Sequence, residues 1–250
     1  MATDLAIGID IGGTGIKGAV VDLSTGKLVS DRKKVATPEG GRPADILEAT
    51  DDLLAELDQA SGAALPLGVC FPAVVKHGRT LSAANISHEW IGLPAETLFE
   101  KRFGREIHFI NDADAAGYAE SRYGAAAGAE GLVILATLGT GIGSAFIYDG
   151  ILVPNTELGH LEIDGVNAET RAAYSAMERE SLSWTEWAAR LQRYFSVVEA
   201  LFSPDLFVVG GGVSKHHQEF LPLLDLGTPI VPAVHRNNAG ILGAATLATR

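Results

Sequence analysis

Cysteine is nearly absent from this sequence of 250 residues, which contains only Cys70. A single cysteine excludes a disulfide within the chain and any zinc site built from several thiolates of one chain. Cys70 stands in the apolar segment LGVCFPAVV, with no histidine or basic residue beside it. We therefore expect a buried thiol and not a catalytic one.

Lysine and arginine are also scarce. The sequence has 19 of these basic residues against 31 aspartates and glutamates, which gives a net charge of −12. This sign disfavours broad binding to nucleic acid or to a membrane surface, since both need a positive field. Long apolar runs are missing, and the start MATDLAIGIDIGG lacks the basic and apolar segments of a secretory signal. These absences predict a cytoplasmic protein without nucleic-acid or membrane partners.

Short β-type segments alternate with helical segments, which is typical of an α/β protein. The first half predicts a hairpin (LAIGIDIG, GIKGAVVDL), a third strand (KLVSDRKKVAT), a helix (PADILEATDDLLAELDQASG), two strands (LPLGVCFPAVV, EIHFIND) and a helix (ADAAGYAESRYGAAAG). After residue 130, GLVILATLGTGIGSAFIYDG repeats the strand, glycine turn and strand of the start. A helix (SWTEWAARLQRYFSVVEALF), a strand (DLFVVGGGVS) and a terminal helix (NNAGILGAATLATR) follow. The repetition predicts two related lobes with a cleft between them.

Three glycine clusters are candidate phosphate-binding elements. They comprise Gly12, Gly13 and Thr14 with Asp10 and Lys17, then Thr137, Gly139, Thr140 and Gly141, and finally Gly210, Gly211 and Gly212. Hairpin turns alone can require glycine, because it reaches positive φ. Glycines also let backbone N–H groups approach phosphates, threonine adds a hydroxyl donor, and an aspartate can hold Mg²⁺ through water. Two similar turns therefore favour a phosphate clamp.

The third cluster follows a predicted strand and opens a predicted helix, whose N-terminal amides would favour an anion. This cluster, VVGGGVSK, matches neither the dinucleotide pattern GxGxxG nor the P-loop GxxxxGK[ST]. The third cluster is therefore not a dinucleotide fingerprint.

Five segments together resemble the ROK family of sugar kinases over nearly the whole chain: GIDIGGTGIKGAVVD, NDADAAGYAE, LGTGIGSAF, ELGHLEIDG and VVGGGVSK. Within that family, VPNTELGHLEIDG, LFSPDLF and RNNAGILGAA are most similar to actinobacterial polyphosphate glucokinases and polyphosphate/ATP glucomannokinases. The resemblance implies phosphoryl transfer from polyphosphate, ATP or both to the 6-hydroxyl of glucose, with mannose as a further acceptor. It also implies Mg²⁺ as the cofactor and a homodimer.

The same resemblance implies two ribonuclease H-like lobes of the actin and sugar-kinase superfamily. We expect the N-terminal lobe at residues 1–111, with a helix at about 237–250 packing back on it. The C-terminal lobe is expected at residues 112–236.

The segment NTELGHLEID matches the family, but the residues after it do not. Many members continue the ExGH pattern with the zinc motif CxCGxxGC, whereas this chain continues with HLEIDGVNAETRAAYSAMERE and has no cysteine there. We therefore expect no zinc and do not assign His160 as a zinc ligand. A carboxylate and a histidine three residues apart can bind neighbouring sugar hydroxyls, and the resemblance assigns this role to Glu157 and His160.

The segment NDADAAG follows a predicted strand and stands where a helix begins, so helix capping alone would explain Asn111 or Asp112. The resemblance assigns the general base to Asp112 and sugar binding to Asn111 and Asp112, with Asp114 as the rival base. By similarity, Asn85 and Pro72 line the sugar pocket. Glu169 is the expected further sugar-binding acid, and Glu162 competes with it.

The sequence is compatible with more than one phosphate donor. An ATP-only hexose or N-acetylhexosamine kinase is the nearest alternative, because the phosphate clamp suits nucleotides too. Three basic segments favour polyphosphate modestly: RKK at 32–34, KHGR at 76–79 and KHH at 215–217. Such runs are more often solvated faces. As a strip for the polymer, we favour Lys76 and Arg79 over Lys33 and Lys34, because they follow the strand that ends near Pro72.

A non-enzymatic sugar-sensing protein is the remote alternative, since some relatives join this fold to a DNA-binding segment. The first predicted strand begins near residue 4 and the charge is acidic, and both features disfavour it.

Overall fold

The computed structural model describes residues 4–249. The chain divides into two compact units, Met1–Ala119 with Asn238–Arg250, and Glu120–Asn237. Within the described residues, no helix combines the length and the apolar character needed to cross a membrane.

The strands and helices are short and alternate along the chain. The strands are β1 Leu5–Ile11, β2 Ile16–Asp22, β3 Lys27–Leu28, β4 Lys33–Val35, β5 Leu67–Phe71, β6 Val75–Lys76, β7 Arg79–Thr80, β8 His108–Asn111, β9 Leu132–Leu138, β10 Ile142–Tyr148, β11 Ile151–Val153, β12 Glu162–Ile163, β13 Val166–Asn167, β14 Leu206–Gly210 and β15 Ile230–Pro232. The helices are α1 Pro43–Ser61, α2 Ala95–Phe103, α3 Asp112–Tyr123, α4 Glu169–Ala172, α5 Tyr174–Glu180, α6 Trp184–Phe202, α7 His217–Phe220 and α8 Ala239–Leu247.

The first unit contains a sheet in the order β3-β2-β1-β5-β8, with β4 also paired to β2. Strands β1 and β2 form the predicted antiparallel hairpin, while β1, β5 and β8 run parallel. Helix α8 packs against β1 and β5. This approach requires glycine, because a β-carbon on Gly8 would overlap the carbonyl oxygen of Ile241, and one on Gly68 would overlap that of Ala244.

The segment predicted as a third strand forms two strands, which corrects the expectation of one. Both β3 and β4 pair with β2 in antiparallel register. The ladder is interrupted at Ser30, whose hydroxyl oxygen accepts a hydrogen bond from the N–H of Val20 at 3.0 Å. A side chain thus takes the place of a backbone carbonyl, and the chain resumes pairing at Lys33.

The second unit contains a sheet in the order β11-β10-β9-β14-β15. As in the first sheet, three neighbouring strands are antiparallel, here β11, β10 and β9. Strands β9, β14 and β15 run parallel. Helix α6 begins with a capping box formed by Ser183 and Glu186, and its apolar face buries Trp187, Leu191 and Phe195. The matching strand orders confirm the α/β prediction and the repeated strand, turn and strand.

Candidate active site

Asp10 and Lys17 face each other across the hairpin of β1 and β2. They occupy paired positions, and the Lys17 ammonium lies 3.1 Å from the Asp10 carboxylate. Cys70 is opposite Asp10 on β5, and its thiol lies 3.5 Å from Asp10 Oδ1. Burial, and then the charge of Asp10, raises the pKa of Cys70 well above its ordinary value of 9.0. Cys70 is a buried thiol, as the sequence predicted.

The first glycine turn joins β1 to β2 and offers free N–H groups. Gly12 closes the turn by donating its N–H to the Gly15 carbonyl at 3.1 Å. The backbone bonds found in residues 4–249 do not use the N–H groups of Gly13 or Thr14, and both residues are exposed. Consecutive free N–H groups in a turn form an anion-binding concavity.

Asn85 lies directly against this turn. Its φ of 60° is positive, and a β-carbon on Gly13 would lie 2.7 Å from its carbonyl oxygen. The carbonyl of Pro72 accepts the N–H of Ala84 at 3.1 Å, which holds the preceding loop to the end of β5. The structure therefore brings Asn85 into contact with Gly13. Pro72 is linked to this region through its hydrogen bond with Ala84, the residue before Asn85.

Asn111 and Asp112 follow β8 and begin α3. The Asn111 side chain donates to the Ala73 carbonyl at 3.0 Å and accepts the N–H of Asp114 at 3.0 Å, so Asn111 caps the helix. Asp112 is half-buried, whereas Asp114 is completely buried. Strand β8 runs parallel to β5 with Asn111 opposite Phe71, so Asp112 follows at the carboxyl ends of β1, β5 and β8. Ligands of parallel sheets bind at this end of the strands.

In the second unit, His160 lies between two acids. Its Nε2 is 3.7 Å from Glu157 Oε2, and its Nδ1 is 3.7 Å from Glu169 Oε1. Glu162 is exposed on β12 and is not among the carboxylates within 4 Å of His160. Asn167, which the sequence analysis did not single out, places its amide nitrogen 3.2 Å from His160 Nδ1.

Glu169 also supports the second glycine turn. Its Oε2 accepts the N–H of Ile142 at 3.1 Å. A β-carbon on Gly141 would overlap the same oxygen. Burial raises the pKa of Glu157 above its ordinary value of 4.5, although His160 opposes the increase and the charge of Glu169 adds to it.

The second glycine turn joins β9 to β10 and is held by a serine that sequence reasoning missed. Gly139 closes the turn by donating to Gly141 at 3.0 Å. Ser175 donates its N–H to the Gly139 carbonyl at 3.0 Å and its hydroxyl to the Thr140 carbonyl at 2.6 Å. No local sequence signal connects Ser175 to Thr140, which lies 35 residues earlier in the chain.

The third glycine cluster lies beside the second turn. Gly210 pairs with Thr137 in the parallel register of β14 and β9, and a β-carbon on Gly211 would overlap the backbone of Leu138. The helix predicted to follow is instead a 3-10 turn, Gly212–His216, and the four-residue α7. This corrects the expectation of helix N-terminal amides, because so short a segment has little dipole.

The basic residues differ in their surroundings. Lys33 pairs with Glu56 at 3.0 Å, and Arg79 donates to the Gly92 carbonyl. Lys34 packs against Gly15 of the first turn. Lys76 is exposed on the β6–β7 hairpin, and within residues 4–249 it is not among the nearest neighbours of the turn glycines. The structure thus brings Lys34, and not the favoured Lys76 or Arg79, to a candidate phosphate element.

A cavity of about 210 Å³ lies among β12, β13, α4 and α6, and Arg171, Arg190, Arg193 and Tyr194 contribute to its walls. None of the residues predicted for sugar or phosphate binding lines it. This cavity therefore does not mark the candidate site, which is identified by the contacts among the predicted residues.

Comparisons with known proteins cover nearly the whole chain. Residues 6–174 match the model of the ROK family. A polyphosphate glucokinase of Mycobacterium tuberculosis is 47% identical over 239 residues, which cover 95% of this chain and 89% of that protein. The crystal structure of an inorganic polyphosphate/ATP-glucomannokinase from Arthrobacter sp. strain KM is 56% identical, with a TM-score of 0.94 and 98% of both chains covered.

A ROK family glucokinase from Streptomyces griseus, solved with glucose and AMPPNP, is 26% identical with a TM-score of 0.82, covering 98% of this chain and 99% of that one. These similarities confirm the fold and the resemblance predicted from the five sequence segments. Because the family model spans well over half of its residues, this chain belongs to the ROK family.

Proposed function

We propose that this chain transfers a phosphoryl group from inorganic polyphosphate to the 6-hydroxyl of glucose. The observation that carries the proposal is the 56% identity and TM-score of 0.94 to an enzyme named for polyphosphate and ATP. The 47% identity to a polyphosphate glucokinase supports the same donor and glucose as acceptor.

Glu157, His160 and Glu169 bind the sugar hydroxyls in this proposal. His160 lies 3.7 Å from each of the two carboxylates, which is longer than a direct hydrogen bond, so neither contact fixes the imidazole against a carboxylate. Carboxylates accept hydrogen bonds from hydroxyls, and an imidazole can donate or accept them. Glu169 lies close to His160, and this proximity supports Glu169 over Glu162 as the further sugar-binding acid.

Asp112 acts as the general base that receives the proton of the 6-hydroxyl. A base must reach its substrate, and the half-buried Asp112 meets that condition better than the completely buried Asp114. Asn111 holds the start of α3 in place through its two hydrogen bonds. In phosphoryl transfer, such positioning and charge stabilisation supply most of the catalysis.

The glycine turns bind the phosphates of the donor. The free N–H groups of Gly13 and Thr14 support this role for the first turn. Asp10 offers one hard carboxylate, a donor set that fits Mg²⁺, because this ion is held by one or two carboxylates together with substrate phosphates and water. Mg²⁺ bound there with the donor would neutralise charge on the phosphates. No group of three or more candidate ligands is found within residues 4–249.

ATP is a second donor in our proposal, and mannose a second acceptor. The polyphosphate/ATP-glucomannokinase supports both additions by its name. The glucokinase solved with AMPPNP supports nucleotide use. A homodimer and a cytoplasmic location stay predictions, and sedimentation of the purified protein would test the first.

One assay tests the donor and the acceptor together. Purified protein is incubated with glucose or mannose, Mg²⁺, and either ATP or long-chain polyphosphate, and hexose 6-phosphate is measured. We expect product from polyphosphate and glucose. Product from ATP alone would replace the proposal with an ATP-dependent hexose kinase, and no product from any pair would remove the kinase assignment.

A further inference from the structure

We propose that Lys34 forms a phosphate subsite beside the first glycine turn, which binds the phosphate next to the one held by the turn. The ligand class is a linear inorganic polyphosphate. The inference rests on the proposed function, because it assumes that the donor phosphates bind at this turn.

The β-sheet register places Lys34 beside the turn. Strand β4 pairs antiparallel with β2, so that Lys34 is opposite Lys17. Side chains of directly opposed residues lie on the same face of a sheet. Lys34 Cε lies 2.9 Å, and its Nζ 3.8 Å, from the point where a β-carbon on Gly15 would be. The aliphatic stem therefore packs on Gly15, and the ammonium group stands at the turn.

The charge of Lys34 is available to a ligand, unlike that of its neighbours. Lys17 is 3.1 Å from the carboxylate of Asp10, and Lys33 is 3.0 Å from that of Glu56. Across residues 4–249, the ion pairs within 4 Å include none for Lys34. Lys34 is also exposed. An ammonium without a carboxylate partner, next to free backbone N–H groups, is suited to an anion.

The segment that carries Lys34 is anchored at both ends. On one side, Arg32 donates to the Asn238 side chain at 2.9 Å. On the other, the Thr37 hydroxyl donates to the carbonyl of Gly12 in the turn. The backbone that carries Lys34 is therefore held in place, so that binding a ligand requires ordering of the side chain and little further ordering of the backbone.

The two glycine turns differ in charge, which decides where a polyanion binds more strongly. Besides the Lys17–Asp10 ion pair, the first turn has the ammonium of Lys34 beside it, whereas the second is contacted by the carboxylate of Glu169. Consecutive phosphates share a bridging oxygen, so the phosphate next to one held at Gly13 and Thr14 comes within reach of a side chain that packs on Gly15. The Lys34 ammonium thus supplies a local positive charge for the donor in a protein whose net charge is negative.

The test compares Lys34→Met with Lys27→Met. Lys27 is a matched control, because it is also exposed and also opposes β2 from a short strand. For Lys34→Met we expect roughly a tenfold or greater rise in the KM for polyphosphate, the effect of losing one charge-assisted hydrogen bond. Its KM should also depend less steeply on monovalent salt, because one screened contact is gone. Lys27→Met should match the wild type.

Two readouts separate a phosphate subsite from a structural role. The KM for glucose and the thermal unfolding midpoint should stay unchanged in Lys34→Met, and Lys34→Arg should restore most of the polyphosphate affinity. Unchanged polyphosphate KM and salt slope in Lys34→Met would overturn the proposal.

Calorimetric binding of tripolyphosphate, without sugar, keeps this test independent of turnover. If the wild type fails to use polyphosphate but Lys34→Met still weakens tripolyphosphate binding, the proposed function is wrong and the subsite stands. If both variants bind tripolyphosphate like the wild type, the subsite is wrong whatever the activity.

Discussion

His160 Nδ1 lies 3.7 Å from Glu169 Oε1, although nine residues separate the two along the chain. The same carboxylate group accepts the N–H of Ile142, the first residue after the second glycine turn. Glu169 thus connects the candidate sugar-binding histidine to a candidate phosphate-binding turn.

Glu169→Gln should raise the KM for glucose by roughly tenfold, because a neutral amide accepts a weaker hydrogen bond from a sugar hydroxyl than a carboxylate does. Glu162→Gln is the matched control and should leave KM unchanged, since Glu162 is exposed on β12. Initial rates with varied glucose at saturating donor measure both. A larger effect at Glu162 would exchange the assigned roles.

Asp112→Asn should lower kcat by about 10²- to 10⁴-fold, the usual contribution of a general base. Glucose binding, measured by calorimetry, should change little, because the amide keeps the shape of the side chain. Asp114→Asn is expected to have a much smaller effect on kcat. If instead Asp114→Asn abolishes turnover and Asp112→Asn does not, the base is Asp114.

Glucose affinity should fall on acidification because of Glu157. Burial raises the pKa of this carboxyl above 4.5, so it loses its charge at a higher pH than an ordinary glutamate. The carboxylate is present above the raised pKa and is lost as pH falls through it. Calorimetric titration of glucose over a pH series should show this loss, and Glu157→Gln should reduce the pH dependence. Constant wild-type affinity down to pH 4.5 would contradict the assignment.

Gly8→Ala should destabilise the fold by about 1 to 3 kcal/mol, the usual cost of overpacking. The new β-carbon would overlap the backbone of α8 at Ile241, which cannot move as a flexible side chain does. Gly212→Ala is the matched control, because nothing lies within 4 Å of a β-carbon there. Urea unfolding midpoints with an unchanged m-value measure both. Equal midpoints would mean that α8 adjusts without cost.

The glycine turns and the buried thiol were predictable because each depends on local chemistry. A GTG sequence between two apolar alternating segments indicates a hairpin, and Cys70 in an apolar strand indicates burial. The partners of those turns were not predictable. Ser175 and Lys34 reach them through tertiary contacts across 35 and 19 residues.

Two local expectations were wrong for physical reasons that the sequence does not display. The third strand of the first sheet is divided because the Ser30 hydroxyl accepts a ladder hydrogen bond. The segment after the third glycine cluster forms a 3-10 turn and a single short helix, Gly212–His216 and His217–Phe220. Competition between side-chain and backbone acceptors depends on a neighbouring strand, which the sequence does not identify.

The sequence by itself determined the alternation of strands and helices, the three glycine clusters and the family resemblance, because these depend on residue types at short spacing. Only the tertiary structure decided which charged groups meet. It brought Glu169 and not Glu162 to His160, and Lys34 and not Lys76 to the first glycine turn. Strand register and loop path determine those encounters, since side chains distant along the chain become neighbours only when the sheets form.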